Sequence, residues 1–334
     1  MLSRMKLYLC AVLCCILLVI IATHIMQRGA LSPVLAANAT TAAWNRICGC
    51  SSCVGETDNS EWFKEHFDPE QQPFLMPNGN ITPPALSWWL LLQRPSVGLD
   101  PEEVIQKMFK VISAPPLYQR RNLPSRACRR CAVVGNSGNL ARTHFGKMID
   151  SHNIVIRMNR ATTLGFEVDV GSKTTHHFMY PESAVDLSPG VHLILLPFKL
   201  RDLQWVASAL STGKIKTTYM RVKNLVKADK DKVIVVHPAF FKYVHETWAE
   251  GQGRYPSTGM LAIIFALHIC DEVSVFGYGA DSQGNWHHYW EKNRYAGAFR
   301  KTGVHNADTE TKIIEKLHAV GKIKLWRNPQ ESLI

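Results

Sequence analysis

Four short segments carry side chains whose types and spacing suit chemistry. Gly135-Asn136-Ser137-Gly138-Asn139 follows the apolar run Ala132-Val133-Val134. A glycine loop after a buried strand brings backbone N–H groups close to a nucleotide. It is neither a GxGxxG fingerprint nor a P-loop, since no GK[ST] follows, and a simple tight turn is the plain alternative. Arg254-Tyr255-Pro256-Ser257-Thr258-Gly259 runs directly into a helical stretch. Hydroxyls and amides at a helix start suit an anion, but ordinary capping would use the same residues. Trp286-His287-His288-Tyr289-Trp290 sets two adjacent histidines between aromatics, and His305 stands five residues before Glu310 at the start of another helix. Histidine titrates near neutrality and can take a proton from a hydroxyl, although a lone histidine is more often structural. His176 and His177 fall in a predicted strand that alternates faces, so at most one faces a site; both read as structural. Asp229-Lys230-Asp231 has the form of a metal-binding DxD but sits among lysines and reads as a solvated turn.

These residues need a scaffold, and the pattern around them predicts one. Short apolar runs read as buried strands: Ala132–Val134, Asn153–Met158, Thr174–Met179, Val191–Leu196, Lys232–Val236, Glu272–Phe276 and Lys322–Trp326. Helices are predicted after the Gly135–Asn139 loop, over Gly259–Cys270 with Ser257 as cap, and over Asp308–Val320. Toward the N-terminus, Glu61–Phe67, Pro101–Ser113 and a compact turn at Ser87–Gln93 also read as helical. Strands alternating with helices imply an α/β fold with parallel pairing.

The 334 residues carry a net charge of +11 and 46% apolar side chains, enough for one large domain. Leu7–Met26 is almost wholly apolar, about the length that spans a bilayer as a helix. Arg4 and Lys6 before it favour a cytoplasmic N-terminus, though Arg28 follows the other end. A cleaved signal peptide is the rival reading. Residues 1–6 then form a cytoplasmic tail, 7–26 a signal anchor, 27–47 a stem and 48–334 a luminal domain. Cys48, Cys50, Cys53, Cys128, Cys131 and Cys270 lie outside the apolar span. An even number suits three disulfides in an oxidising compartment. A zinc site on Cys50, Cys53, Cys128 and Cys131 is the alternative, and it would leave Cys48 and Cys270 over. Asn38 and Asn80 open N-glycosylation sequons. The positive charge is spread out, with no aromatic-interleaved basic stripe. It fits an anionic substrate better than nucleic acid, and a solvated basic surface is the bland explanation.

Taken together, the four segments resemble the sialylmotifs of animal sialyltransferases. Cys131 to about Thr175 is similar to the large motif (CAVVGNSGNL, RMN, DVGSKTTHH) and Tyr255–Gly279 to the small motif (YPSTGMLAIIFALHICDEVSVFGYG). His287–Trp290 (HHYW) is similar to the third motif and His305–Glu310 to the very small one. The likeness runs from about Cys128 to Arg327, in order. WHHYW, NRYAGAFRKTGVH and HPAFFKY resemble the branch of β-galactoside α-2,3-sialyltransferases that acts on Galβ1-3GalNAc. Ala141–Phe145, Thr162 and Val236 depart from that branch, which bears on acceptor and subtype rather than on the reaction.

The resemblance implies a Rossmann-like single catalytic domain, a GT-A-like variant, in a type II Golgi membrane protein. It implies transfer of sialic acid from CMP-sialic acid to the 3-hydroxyl of galactose, with inversion, no cofactor and no metal. His305 would be the base and His288 the partner of the departing phosphate. Asn136, Asn159, Tyr219, Ser257, Thr258, Gly259 and Gly279 would hold the donor; Gln93, Tyr255 and Trp286 would face the acceptor. The implied disulfides are Cys131–Cys270, Cys48–Cys53 and Cys50–Cys128. The implied partners are the CMP-Neu5Ac donor, galactose-terminated glycoproteins or glycolipids and the membrane, with a homodimer left open. Three other readings stay in view. One is transfer to Galβ1-4GlcNAc, and one is a non-catalytic luminal glycan-binding protein. The third is a Rossmann-type oxidoreductase, disfavoured by the missing GxGxxG.

Overall fold

A computed structural model describes residues 48–55, 60–92, 98–115, 127–280, 286–292 and 303–328. The apolar segment 7–26, the stem 27–47, Asn38 and Gln93 lie outside the described residues. The architecture rests on seven parallel strands: β1 (Arg130–Val134), β2 (Ile154–Met158), β3 (His176–Met179), β4 (His192–Leu195), β5 (Val233–Val235), β6 (Glu272–Phe276) and β7 (Lys324–Trp326). Their order is β5-β4-β3-β2-β1-β6-β7. The chain therefore winds outward from β1 in one direction through β5, then returns to the other side of β1 for β6 and β7. In such sheets the crevice beyond the carboxyl ends of the two strands at the reversal is the natural ligand site. Here those strands are β1 and β6, in register from Arg130 opposite Glu272 to Val134 opposite Phe276.

The helices are α1 (Glu61–His66), α2 (Pro83–Leu91), α3 (Pro101–Phe109), α4 (Gly146–Asp150), α5 (Glu167–Val170), α6 (Leu200–Ala209), α7 (Pro238–Tyr243), α8 (Thr258–Ile269) and α9 (Ala307–Ala319). Alternation along β1 shows how they cover both faces. Cys131 and Val133 pack with α8, while Ala132 and Val134 pack with Leu140, Phe145 and Ile149 on the opposite face. Every residue of α8 from Met260 to Ile269 is buried, which is why its sequence shows no polar stripe. The helix begins where the Ser257 hydroxyl accepts from the Met260 N–H at 3.1 Å. It ends at Cys270, whose disulfide returns to Cys131 in β1. Cys48–Cys53 and Cys50–Cys128 complete the three bridges, the same pairs that the resemblance implied.

The predicted strands all form, each within two residues of its expected ends. The predicted helix after the Gly135–Asn139 loop does not. A single 3-10 turn at Gly138–Leu140 takes its place, and the five-residue α4 follows. Arg142 and His144 have φ values of 65° and 58°, outside the right-handed helical region. Both their N–H groups donate to the Asp169 carboxylate, at 2.7 and 2.9 Å. A distant side chain therefore satisfies the backbone that a helix would have used. Conversely, α2 starts four residues earlier than expected, because Pro83 and Pro84 sit in its first turn, where a missing N–H costs nothing. The Asp229–Asp231 turn is exposed, as expected, and its carboxylates bond to neighbouring segments of the chain. Asp229 accepts from the Gly190 N–H at 2.8 Å, and Asp231 accepts from the Ser113 hydroxyl.

The Cys131–Cys270 bridge closes a loop 139 residues long between two wholly buried positions. Replacing both cysteines by alanine should cost about 2–5 kcal/mol, most of it through the freed unfolded chain. Denaturant melts of the double variant would show that loss; an unchanged midpoint would contradict it.

Candidate active site

A cavity of about 370 Å³ opens at the carboxyl ends of β1 and β6. Two glycines let it form. A Cβ on Gly135 would lie 2.3 Å from the Gly277 carbonyl oxygen, and one on Gly277 would lie 2.4 Å from Leu140 Cδ1. Gly277 also has φ 68°, a conformation side chains rarely adopt. With both side chains absent, the two loops lie against each other. Ser137 Oγ donates to the Gly279 carbonyl at 2.8 Å, and Asn139 Nδ2 donates to the Tyr278 carbonyl at 3.0 Å.

The floor presents acceptors. Asn136 Nδ2 donates to the Met158 carbonyl at 3.1 Å, and its Oδ1 is buried with no hydrogen-bond partner. Asn159 sits just past β2 with φ 56°. Its N–H donates to the Phe178 carbonyl at 2.8 Å, and its own carbonyl accepts from His177 Nε2 at 2.6 Å. Its Oδ1 is likewise buried and unpartnered. Two such amide oxygens in one cavity call for ligand N–H or O–H donors, as on a base or a ribose. His177 therefore works from behind the wall, holding Asn159, and does not line the cavity. His176 stacks on His192 with ring centres 4.6 Å apart, also away from it.

The N-terminus of α8 forms another wall, where Ser257, Thr258 and Gly259 line the space. The dipole of this 12-residue helix favours a negative group there. Glu310 of α9 clamps this corner. Its carboxylate accepts from the Ser257 N–H at 2.7 Å and from the Ser257 hydroxyl at 2.5 Å, and burial pushes its pKa up to about 7. Tyr278, half-buried in the wall, donates its hydroxyl to the Gly259 carbonyl at 3.1 Å.

His305 precedes α9 and lines the same cavity. Its Nδ1 donates to the Tyr255 carbonyl at 2.8 Å. A carbonyl can only accept, so this bond places the proton on Nδ1 and leaves Nε2 as the basic nitrogen. Burial lowers the imidazole pKa, opposed by the Tyr255 carbonyl. The ring is therefore neutral near pH 7, with Nε2 the nitrogen that can accept a proton. Backbone bonds from Arg254 and Tyr255 to the Val304 carbonyl, at 2.8 and 3.4 Å, fasten the two segments.

His288 arrives from a third direction. Its segment docks on the glycine loop through an antiparallel bridge to Ser137. The Gly138 N–H donates to the His287 carbonyl at 2.8 Å, and Tyr289 O–H donates to the Thr162 carbonyl at 2.7 Å. His288 Nδ1 donates to Glu291 at 3.0 Å, and the ring stacks on Trp290 at 4.6 Å.

The structure thus gathers Asn136, Asn159, Ser257, Thr258, Gly259, Gly279, Trp286, His288 and His305 around one space. Tyr255 stands behind it, its ring 5.2 Å from that of His305 and 4.9 Å from that of Phe198. Tyr219 does not line the wall; its side chain is 65% exposed. Asn80 is exposed, as a glycosylation site must be. Sequence reasoning missed Tyr180, Tyr278 and the clamp made by Glu310. Only the five-residue spacing from His305 hinted at Glu310, while Tyr180 and Tyr278 follow strands and carry no local signal.

Comparison with known proteins agrees with this geometry. The family model described as Glycosyltransferase family 29 (sialyltransferase) matches residues 80–322. The mouse protein CMP-N-acetylneuraminate-beta-galactosamide-alpha-2,3-sialyltransferase 2 is 54% identical over 283 residues, covering 84% of this chain and 80% of that protein. The human enzyme numbered 1 in the same series is 49% identical over 286 residues, covering 85% of this chain and 83% of its own. A crystal structure of a mammalian sialyltransferase superposes with a TM-score of 0.79 at 47% identity, covering 85% of this chain and 99% of that one. A mammalian sialyltransferase in complex with Gal-beta-1-3GalNAc-ortho-nitrophenol gives 0.78 at 47% identity, covering 84% and 100%.

His177 offers a test of the wall behind Asn159. Burial lowers its pKa from 6.5 to about 4. The unfolded chain therefore takes up the proton first as pH falls below 6.5, and stability is lost down to about pH 4. Between pH 7 and pH 5 this one group should remove about 2 kcal/mol. His177→Gln, which does not titrate, should show a shallower loss by about that amount in paired melts; parallel pH profiles would contradict it.

Proposed function

The chain belongs to glycosyltransferase family 29, the sialyltransferases, and on that premise we propose that it moves N-acetylneuraminic acid from CMP-N-acetylneuraminic acid to the 3-hydroxyl of a terminal galactose. The observation that carries this reading is His305, neutral, oriented by the Tyr255 carbonyl and opening on the same cavity as the α8 N-terminus and His288. The acceptor hydroxyl gives its proton to His305 Nε2 as its oxygen attacks the anomeric carbon. The bond to the phosphate breaks, and its electron pair leaves with CMP. Attack from the side opposite the leaving group inverts the centre. His288 and the start of α8 supply donors to the phosphate as its charge grows, where such contacts lower the barrier most.

Asn136 and Asn159 hold the nucleotide through their unpartnered amide oxygens. Gly279 lets the donor approach the backbone, and Tyr219 reaches the phosphate from the rim. Trp286 faces the acceptor from the cavity wall, and the resemblance assigns Tyr255 and Gln93 to the same acceptor. The leaving group carries a single phosphate, and the donors above answer its charge, so we propose that no metal or other cofactor takes part. The favoured acceptor is Galβ1-3GalNAc of O-glycans and glycolipids. Support comes from the 47% identical sialyltransferase solved with a Gal-beta-1-3GalNAc compound. The winding of the sheet supports a Rossmann-like, GT-A-like classification. Leu7–Met26 and the three disulfides support a type II Golgi protein with its catalytic domain in the lumen.

The direct test is transfer of label from CMP-Neu5Ac in EDTA to Galβ1-3GalNAc and, in parallel, to Galβ1-4GlcNAc. Transfer to the first should dominate; preference for the second would overturn the acceptor, and activity restored only by a divalent ion would overturn the metal-free chemistry. His305→Ala should lower turnover by about 10²–10⁴, the span of a lost general base, while CMP binding by calorimetry stays near wild type. Turnover within a few fold of wild type would remove His305 from the base role.

A further inference from the structure

Beside the cavity, three segments meet at a buried charged cluster that the chemistry above does not use. Glu182 lies two residues past Tyr180, which lines the cavity. Lys199 and Asp202 stand at the start of α6, where the Lys199 N–H donates to Asp202 at 3.2 Å. Lys199 Nζ lies 3.2 Å from Glu182 Oε1 and 2.7 Å from Asp202 Oδ1. The three side chains are 9%, 6% and 0% exposed. Burying an ion group of this kind is a poor route to stability, because desolvation offsets most of the attraction; fixing one arrangement is the better-attested use.

What the cluster fixes is the 217–221 hairpin. Thr217 and Arg221 form an antiparallel bridge, and the Thr218 N–H donates to the Met220 carbonyl at 3.0 Å. Thr218 Oγ1 donates to Glu182 Oε1, the oxygen that also faces Lys199. Arg201 Nε donates to the Thr217 carbonyl at 3.2 Å. Lys199 Nζ stands 4.9 Å from the centre of the Tyr219 ring, within cation–π range. Tyr219 is the exposed tip of this hairpin. Desolvation raises its phenol pKa first, and the charges of Glu182, Tyr255 and Asp202 raise it further. It therefore stands within electrostatic reach of Tyr255, whose carbonyl holds His305. An exposed side chain on an untethered hairpin would lose conformational freedom on meeting a ligand, and tethering removes that cost beforehand.

We propose that Glu182 and Lys199 are positioning residues for donor binding, holding the hairpin through Thr218 so that Tyr219 meets the CMP phosphate already oriented. This rests on the donor role of Tyr219 stated above. Thr218→Val removes the tether while leaving the Glu182–Lys199 pair in place, and Thr218→Ser keeps the hydroxyl. The readouts are KM for CMP-Neu5Ac, KM for the acceptor, kcat and melting temperature. Thr218→Val should raise donor KM roughly fivefold, within the range of coupled neighbours, with acceptor KM and melting temperature unchanged. Thr218→Ser should restore the wild-type donor KM, and Thr218→Val should add nothing in a Tyr219→Phe background. Glu182→Gln should shift donor KM in the same direction. If Tyr219→Phe raises donor KM but Thr218→Val does not, or if the two effects multiply, the positioning role is overturned. If Tyr219→Phe leaves donor KM unchanged, Tyr219 is no donor ligand and the proposal falls with it. Absence of any transfer by the wild-type enzyme would instead sink the sialyltransferase reading itself.

Discussion

The hydrogen bond from His305 Nδ1 to the Tyr255 carbonyl sets the tautomer on which the proposed chemistry depends. Three further contacts keep it in place. The Val304 carbonyl accepts from Arg254 and Tyr255, so the two backbones run side by side. Glu310, five residues on from His305, grips Ser257, two residues on from Tyr255. The start of α9, with His305 just before it, and the start of α8 are thereby braced against each other at both ends of a short span. Burial acts in the same direction: it lowers the His305 pKa and so keeps Nε2 unprotonated near neutral pH.

The brace needs a foundation, and the sheet supplies it. Reversal of winding at β1 and β6 leaves a crevice, and Gly135 against Gly277 lets the two loops close to a distance no side chain would allow. Buried from Met260 to Ile269, α8 covers one face of those strands and is pinned to β1 by Cys131–Cys270. His288 is carried by a segment fastened to the glycine loop by the Ser137 bridge and the Gly138–His287 and Tyr289–Asn136 backbone bonds, and to Thr162 by the Tyr289 hydroxyl.

Much of this was legible in the residues, for identifiable reasons. Parallel strands buried on both faces read as continuous apolar runs, so VHLILL and KVIVV could be placed without knowing their neighbours. Ser257 announced the start of α8 because capping is local chemistry. What stayed hidden depends on partners remote in sequence. Nothing near Arg142 and His144 reveals that Asp169 will take their N–H groups and stop a helix. Lys199, Asp202 and Glu182 look like ordinary surface charges until the fold buries them together. Tyr219 was placed with the donor by resemblance, yet its place on a tethered hairpin outside the wall is a tertiary fact.

The most direct measurement is a crystal structure of the enzyme with CMP and Galβ1-3GalNAc bound together. His305 Nε2 should lie within about 3.2 Å of the galactose 3-hydroxyl, hydrogen-bond reach for a general base, with Nδ1 still on the Tyr255 carbonyl. The phosphate should sit across the cavity near His288 and the start of α8. A galactose hydroxyl facing some other group, with His305 turned into packing, would contradict the assignment of the base.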